Sequence, residues 1–205
     1  MGELIQAVLA SANENKLREL GHAFDGWTLE LLDAQEYPPE SGATYLENAR
    51  AKAEFGRTLA PDRWVLGEDS GVEIEGLGGG PGVLSARWAA GREAERALEE
   101  LEGVQGDGRR ARYVCELVAL SPDGEELRGT GTLTGRVSHE PCGSEGFGYD
   151  PVFVPEGEVR TVAELGNEWK AANSHRARAA AALQPALSGG RASPRGRGPG
   201  RSASG

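Results

Sequence analysis

The chain has 205 residues, of which 38% are hydrophobic, and it carries a formal net charge of −10. This length suits a single domain, no apolar run approaches the roughly 18 residues of a membrane span, and the acidic balance argues against nonspecific nucleic-acid binding by the folded body. Cys115 and Cys142 stand far apart without a CxxC pattern, and the N-terminus does not resemble a secretory signal. We therefore expect a cytoplasmic protein.

The beginning of the chain alternates strand and helix patterns. Leu4–Ser11 is predicted to be a buried strand, and Leu17, Leu20 and Phe24 follow at helical spacing. Trp27–Leu32 is predicted to be a second strand. The spacing therefore predicts a strand, a loop, a helix and a strand in succession.

A second helix is predicted after a turn-rich loop at Glu36–Ala43. Thr44 and Glu47 have the spacing of a capping box, which predicts that the helix begins there. Asn48 and Lys52 are four residues apart, so they should share one face of that helix.

The segment Val65–Val83, VLGEDSGVEIEGLGGGPGV, is predicted to hold one strand before Glu68 and another after Gly71. Neighbouring side chains on an extended chain point to opposite faces. Glu68 and Asp69 could therefore bind one cation only if the strand has ended and the chain turns there, which the following Ser-Gly pair would allow.

The second half of the chain contains four further predicted features. In chain order they are a charged surface helix at Arg92–Leu101, a hairpin of Arg112–Ser121 and Glu126–Ser138, a loop running into a short strand at Gly146–Gly157, and a helix at Asn173–Leu183. These elements together predict an α/β fold with a mixed sheet. We expect one domain over residues 1–187 and a disordered Gly/Ser/Pro/Arg-rich tail over residues 188–205.

The loop Ser11–Lys16, between the first strand and first helix, is a candidate anion site. Unpaired N–H groups and the positive end of the helix dipole favour an anion there, and Ser11, Asn13 and Lys16 add polar and charged side chains. The alternative is that Ser11 or Asn13 merely caps the helix while Lys16 is solvated. The glycine framework of a Walker A loop is absent.

Two further groups of residues suit a nucleotide. Glu68 and Asp69, with Glu40 as a third oxygen donor, are candidate Mg²⁺ ligands; the alternative is a solvated acidic turn. In the motif GFGYDP, Phe147 could stack on a flat base and Asp150 could accept from ring N–H groups; the alternative is a hairpin end whose aromatic residues belong to the core.

A cluster of polar residues lies near the predicted start of the last helix. It contains Lys170, Ser174, His175 and Arg176. A base-recognition role and a solvated basic helix start are both open from these residues alone.

The combination of these segments resembles the Ham1/RdgB-type inosine triphosphate pyrophosphatases, which are non-canonical purine nucleoside triphosphate pyrophosphatases. The resemblance is collinear over about residues 3–184. It rests on five blocks: Ser11-Ala12-Asn13-Glu14-Asn15-Lys16 for the [ST]-x-N-x-x-K opening, Glu47–Ala53 for ENAxxKA, Glu68-Asp69-Ser70-Gly71 with Leu77–Gly82 and Ser85-Ala86-Arg87 for DDSG…LGG.PG…SAR, Gly146–Pro151 for GFGYDP, and Lys170 with Ser174-His175-Arg176 for K-x4-SHR.

Three features depart from the family pattern. Glu68 stands where bacterial members commonly have aspartate, which keeps a carboxylate at that position. Ala171 replaces an asparagine that usually follows the lysine, which leaves local contacts there in question. The arginine-rich tail lies outside the pattern.

The resemblance implies an elongated, twisted mixed sheet flanked by helices, with two lobes and a substrate cleft between them. It implies a homodimer and Mg²⁺-dependent hydrolysis of ITP, dITP and XTP between the α and β phosphates, which yields the nucleoside monophosphate and pyrophosphate. It implies Asp69 as general base and metal ligand, with Glu68 and Glu40 as further metal ligands. The implied substrate contacts are Ser11, Ala12, Asn13, Glu14, Asn15, Lys16, Lys52, Ser70, Arg87, Phe147, Gly148, Tyr149, Asp150, Lys170, His175 and Arg176.

The glycine-rich half of the Val65–Val83 segment is expected to shape a tight turn that brings Ser85–Arg87 alongside the cleft. Phosphate binding then falls to the first loop. Two other functions are open: a Maf-type pyrophosphatase acting on other nucleotides, and a nucleotide-sensing or RNA-binding protein whose tail docks on nucleic acid.

Overall fold

A seven-stranded mixed sheet organises the fold, and the computed structural model describes residues 4–24, 26–89 and 91–189. The helices and strands in these ranges are β1 Ile5–Leu9, α1 Glu14–Ala23, β2 Trp27–Leu31, α2 Tyr45–Leu59, β3 Trp64–Ile74, β4 Gly80–Pro81, α3 Ser85–Ala89, α4 Glu93–Glu100, β5 Arg110–Leu120, β6 Glu126–Val137, β7 Phe153–Pro155, α5 Val162–Asn173 and α6 His175–Gly189. None of the helices in the described ranges is long and apolar enough to cross a membrane.

The sheet has the strand order β2-β1-β3-β5-β6-β7, with the short β4 paired to β3. β1 runs parallel to both β2 and β3. The remaining pairings are antiparallel, through the long β5–β6 hairpin to β7. The prediction of an α/β fold with a mixed sheet flanked by helices is confirmed.

Most predicted elements occur where the sequence places them. The capping box at the start of α2 is present, because the Thr44 hydroxyl accepts from the Glu47 N–H at 3.1 Å and the Glu47 carboxylate accepts from the Thr44 N–H. The predicted hairpin is the β5–β6 pair. Helices α3 and α5 were not predicted. In α5, Gly166 interrupts the helical backbone with φ 87°, and the Glu145 carboxylate accepts from Asn167 N at 2.8 Å.

The prediction of two strands around Glu68 is wrong, because β3 is one continuous strand of 11 residues. β5 pairs with it from Val65 to Ile74, so the Ser-Gly pair stays extended within the ladder. Gly71 serves close packing here, since a Cβ at this position would lie 2.3 Å from the Gly82 carbonyl oxygen. The glycine-rich segment makes the predicted tight turn further on, where β4 folds back onto β3.

Two helices pack on opposite faces of the sheet over glycines. A Cβ at Gly67 of β3 would lie 1.9 Å from the Ala49 carbonyl oxygen of α2, and one at Gly131 of β6 would lie 2.0 Å from the His175 carbonyl oxygen of α6. This close approach brings the polar side chains of α2 and α6 directly over the central strands.

The predicted tail, residues 188–205, lies outside the described residues except at its beginning. Helix α6 continues through Gly189, two residues beyond the predicted domain end.

Candidate active site

Strand alternation directs the Asp69 side chain of β3 toward helix α2. Asn48 Nδ2 donates to Asp69 Oδ2 at 2.9 Å, and Lys52 Nζ lies 3.2 Å from Asp69 Oδ1. Asn48 and Lys52 do share one helix face, as predicted from their spacing. Each oxygen of this buried carboxylate therefore has a donor from the same helix.

The Lys52 ammonium also connects Asp69 to the loop before α2. It forms an ion pair with Glu40 and donates to the Glu68 carbonyl oxygen at 3.0 Å. Arg87 Nη1 approaches the other oxygen of Glu40 at 3.1 Å. The turn after β3 thus places Arg87 beside Glu40, on the cleft wall where the sequence predicted it.

The two carboxylates around Lys52 differ in their protonation behaviour. Burial raises the pKa of Asp69, and the charges of Glu40 and Glu68 add to the rise against the opposing effect of Lys52 and Asn48. Burial also tends to raise the pKa of Glu40, but Lys52, Lys16 and Arg87 lower it overall. Asp69 is therefore the better proton acceptor of the two.

The donor set of Asp69 and Glu40 fits a Mg²⁺ ion. Both carboxylates converge on one ammonium group, so the site already concentrates hard oxygen atoms around a positive charge. One or two carboxylates together with substrate phosphates are a usual Mg²⁺ environment. Within the described ranges, no cluster of three or more His, Cys, Asp or Glu side chains could hold a metal, and the Glu68 side chain does not join these two.

The Glu68 carboxylate instead lies on the opposite face of the sheet and is completely buried. Lys16 Nζ lies 2.6 Å from its Oε2, and Arg176 Nε donates to its Oε1 at 3.0 Å. Burial tends to raise the pKa of Glu68, but Lys16, Arg176 and Lys52 lower it well below its usual value. Glu68 is therefore a permanently charged counter-ion.

Glu19 of α1 extends this charged cluster and was not identified from the sequence. Its carboxylate lies 3.1 Å from Arg176 Nη1 and 2.7 Å from Lys170 Nζ. Burial tends to raise the pKa of Glu19, but Arg176 and Lys170 lower it overall. The only sequence signal was its place one helical turn after Lys16, on the same face of α1.

The first loop shows the capping contacts that were considered for it. Asn13 caps α1, because its Oδ1 accepts from Asn15 N at 2.9 Å and Lys16 N at 3.2 Å, and Ser11 Oγ accepts from Asn13 N at 3.1 Å. The alternative of a solvated Lys16 is contradicted, because its side chain is only 15% exposed and pairs with Glu68.

A cleft of about 660 Å³ joins this loop to the Lys52 region. It is lined by Ala10, Ser11, Ala12, Asn13, Glu14, Lys16, Tyr37, Pro38, Glu40, Lys52, Ala86 and Arg87. The Asn15 side chain is directed elsewhere, since it accepts from Arg18 and lines a separate cavity of about 520 Å³ beside Glu19.

The cleft of about 660 Å³ adjoins a second cavity of about 150 Å³, which runs from the first loop toward the GFGYDP motif. The sequence-predicted residues that line it are Asn13, Lys16, Ser70, Phe147, Gly148, Tyr149, Asp150, Lys170, His175 and Arg176. The sequence suggested that Lys170 lies near the start of the last helix. It belongs instead to the end of α5.

The Asp150 carboxylate holds this second cavity together through contacts within the protein. It accepts from Phe147 N at 2.8 Å and from the Tyr113 hydroxyl at 3.2 Å, and Lys170 Nζ lies 2.5 Å away. The Lys170 ammonium also lies 4.1 Å from the centre of the Phe147 ring. Asp150 therefore orients the side chains around it.

His175 lines the second cavity and carries a buried polar atom that is not already engaged. Its ring stacks on Tyr113 at 4.6 Å between centroids with 6° between planes, and its Nδ1 has no hydrogen-bond partner in the part of the chain that the structure describes. Burial, together with Arg176, lowers the pKa of His175 well below its usual value, so the imidazole is neutral. A buried, unpaired imidazole nitrogen suits contact with a ligand.

Comparison with known proteins places this geometry in context. The model of the Ham1 family matches residues 7–186. A dITP/XTP pyrophosphatase of Deinococcus deserti is 45% identical over 185 residues, which is 88% of this chain and 88% of that protein. A dITP/XTP pyrophosphatase of Thermus thermophilus is 44% identical over 195 residues, covering 91% of this chain and 93% of that protein.

Solved structures agree with these sequence relatives. The Ham1 protein of Staphylococcus aureus superposes with a TM-score of 0.78 at 33% identity, covering 91% of this chain and all of that chain. A nucleoside-triphosphatase, dITP/XTP pyrophosphatase of Mycobacterium abscessus gives a TM-score of 0.67 at 39% identity, covering 89% of this chain and 100% of that chain.

Proposed function

The chain belongs to the Ham1 family, and on that premise we propose that it hydrolyses the non-canonical purine nucleoside triphosphates ITP, dITP and XTP to the monophosphate and pyrophosphate. The observation that carries the proposal is the pair of adjoining cavities. One is lined by cations and the first loop, the other by Phe147 and His175, and Asn13 and Lys16 border both.

The cationic cavity is proposed to bind the triphosphate. Lys16, Lys52 and Arg87 line it, and the N-terminus of α1 adds the positive end of a helix dipole. In the overall acidic chain these groups are the cations that can meet the phosphates of a polyanion at this cavity.

Asp69 is proposed to act as the general base. Burial raises its pKa, which makes it a stronger proton acceptor than an ordinary aspartate, and the contact from Asn48 holds the carboxylate in one orientation while it accepts a proton from the attacking water. Mg²⁺ held by Asp69 and Glu40 would neutralise phosphate oxygens and favour ionisation of the water. Lys52, which contacts both carboxylates, is then available to the phosphates.

The second cavity is proposed to select the base. Phe147 offers an aromatic surface for stacking, and His175 Nδ1 in its N–H form would donate to the 6-oxo oxygen of hypoxanthine or xanthine. Adenine carries an amine at that position, so the donor would be left unpaired and ATP would be rejected.

A panel of triphosphates with pyrophosphate detection tests the proposal. We expect pyrophosphate from ITP, dITP and XTP in Mg²⁺, little from ATP or the pyrimidine triphosphates, and none when EDTA is in excess. Preferential cleavage of a pyrimidine triphosphate would favour the Maf-type alternative. Pyrophosphate release that is undiminished by EDTA would contradict the metal role of Asp69 and Glu40.

We further propose that the protein is a cytoplasmic homodimer, as the family resemblance implies. The two free cysteines, Cys115 and Cys142, are consistent with a reducing compartment. Sedimentation equilibrium of the full chain should give twice the mass of 21.6 kDa, and a single-chain mass would contradict the dimer.

A further inference from the structure

The buried carboxylate of Glu68 joins two cations of the proposed substrate site that differ in the cavities they line. Lys16 lines both cavities, whereas Arg176 lines only the one beside Phe147. Lys16 Nζ lies 2.6 Å from Glu68 Oε2 and Arg176 Nε lies 3.0 Å from Glu68 Oε1. One carboxylate therefore gives one oxygen to each cation.

This contact is the beginning of a longer series of alternating charges. Arg176 continues to Glu19 at 3.1 Å, Glu19 to Lys170 at 2.7 Å, and Lys170 to Asp150 at 2.5 Å. No side chain in the series is more than 15% exposed. Buried charges interact strongly with their neighbours, because little water is present to screen a charge that loses its partner.

From this geometry we infer that Glu68 is a positioning residue that couples phosphate binding at Lys16 to base binding at Arg176. The inference rests on the proposed function, since it assigns the phosphates to one end of the site and the base to the other. It concerns the side chain of Glu68 only, which faces away from Asp69 and Glu40.

The direction of the coupling follows from charge balance. A phosphate group at the first loop draws Lys16 toward itself and weakens the hold of Lys16 on Glu68. The completely buried Glu68 charge then depends on Arg176, which is drawn against it more firmly. Arg176 also donates to Ser70 Oγ at 2.7 Å, so firmer pairing with Glu68 restricts its guanidinium further at the base end before the base arrives. A fixed side chain loses less entropy on binding, so the two ligands bind cooperatively.

Separate ligands for the base end and the phosphate end test the coupling without turnover. Inosine is titrated calorimetrically into the full-length wild-type protein in Mg²⁺ buffer, with and without saturating pyrophosphate. We expect pyrophosphate to tighten inosine binding about five- to tenfold. Because linkage is reciprocal, inosine should tighten pyrophosphate binding by the same factor. Equal inosine affinity in both titrations would overturn the coupling.

Glu68→Gln then tests the assigned residue, since the amide keeps the shape but removes the charge that both cations share. We expect its coupling factor to fall below about twofold, because coupling comes from the shared charge. Glu73→Gln is the matched control on the same strand, where the carboxylate pairs with Arg112 outside the series, and it should keep the wild-type factor. A wild-type factor in Glu68→Gln would overturn the assignment.

Lys16→Gln tests the same step if Glu68→Gln does not fold. Lys16 is partly exposed, and its loss removes the cation that phosphate draws away from Glu68. At saturating pyrophosphate this variant should bind inosine without any gain in affinity, and an undiminished gain would overturn the coupling. ITP cleavage with no coupling in the wild type would leave the proposed function standing, whereas absence of both inosine binding and ITP cleavage would remove both proposals.

Discussion

Glu68 and Asp69 are neighbours in the chain, yet their carboxylates lie on opposite faces of β3. Asp69 contacts Asn48 and Lys52 of α2, whereas Glu68 contacts Lys16 of α1 and Arg176 of α6. The two environments push the pKa values in opposite directions, upward for Asp69 and downward for Glu68. Such a separation is typical of acids with different roles in one site.

Asp69→Asn should abolish activity without disturbing the fold. The amide can still accept from Asn48 but cannot take up a proton, so kcat for ITP should fall by at least about 100-fold. Pyrophosphate release measures the activity, and the circular dichroism spectrum measures whether the fold is kept. Asp107→Asn, which changes a carboxylate on an exposed turn where it pairs with Arg110, should retain wild-type kcat. Near-wild-type activity in Asp69→Asn would contradict the general-base role.

Asp69→Asn should also raise stability at neutral pH. Burial raises the folded-state pKa of Asp69, so the charged form costs folding free energy above that pKa, and this cost disappears below the ordinary value of about 3.9. The gain of the variant over wild type should therefore shrink as pH falls through this window. Urea unfolding at several pH values measures this difference in the free energy of unfolding. Equal or lower stability of the variant at pH 7 would show that the contacts of Asp69 with Lys52 and Asn48 outweigh the cost of burying its charge.

Lys52→Met should weaken triphosphate binding and make stability depend on Mg²⁺. The apolar side chain keeps most of the volume but removes a phosphate-facing charge, so KM for ITP should rise about tenfold or more, the effect of roughly 1.4 kcal/mol. Asp69 and Glu40 lose their shared cation, so Mg²⁺ should raise the Tm of the variant more than that of wild type. Arg50→Met, on the same helix but in a surface pair with Glu126, is the control and should show neither effect. An unchanged KM would count against Lys52 as a phosphate contact.

His175→Phe should reduce the loss of stability in mild acid. The folded-state pKa of His175 is lowered, so below about pH 6.5 the unfolded chain takes up a proton that the folded protein does not, and stability falls as pH falls. Wild type should therefore lose about 1.4 kcal/mol per pH unit more than the variant between roughly pH 6 and 5. Phenylalanine can preserve the stacking on Tyr113. Parallel stability curves for the two proteins would contradict a buried neutral imidazole.

Gly67→Ala should disrupt the packing that brings α2 to Asp69. The added methyl would overlap the Ala49 carbonyl oxygen at 1.9 Å, which requires the helix to move. We expect a loss of about 3 kcal/mol or more in the free energy of unfolding. Gly21→Ala on α1, where a Cβ meets nothing within 4 Å, should be neutral or stabilising by up to about 1 kcal/mol. Urea denaturation compares the two variants. An unchanged free energy of unfolding in Gly67→Ala would contradict the tight contact.

Local sequence signals were sufficient for much of the fold. The Thr44–Glu47 capping box predicts helix α2, and the segments Arg112–Ser121 and Glu126–Ser138 predict the β5–β6 hairpin, because caps and turns act within a few residues. Helix α5 was missed, since Gly166 breaks its periodicity and a side chain 22 residues away, Glu145, accepts the N–H of Asn167 at the break. A cap supplied from such a distance leaves no local pattern.

The family and the residue types of the site can be read from the chain alone, because five collinear blocks carry them from Ser11 to Arg176. Which of those residues meet depends on long-range pairing. From the sequence, the Ser-Gly pair predicts a strand end. In the structure, the long antiparallel strand β5 pairs with β3 on both sides of that pair. That pairing keeps the chain extended and sends Glu68 and Asp69 to opposite faces. The contacts of Glu19 also depend on long-range packing, because its partners Lys170 and Arg176 lie far along the chain. The packing of α1 beside α5 and α6 brings these charges together.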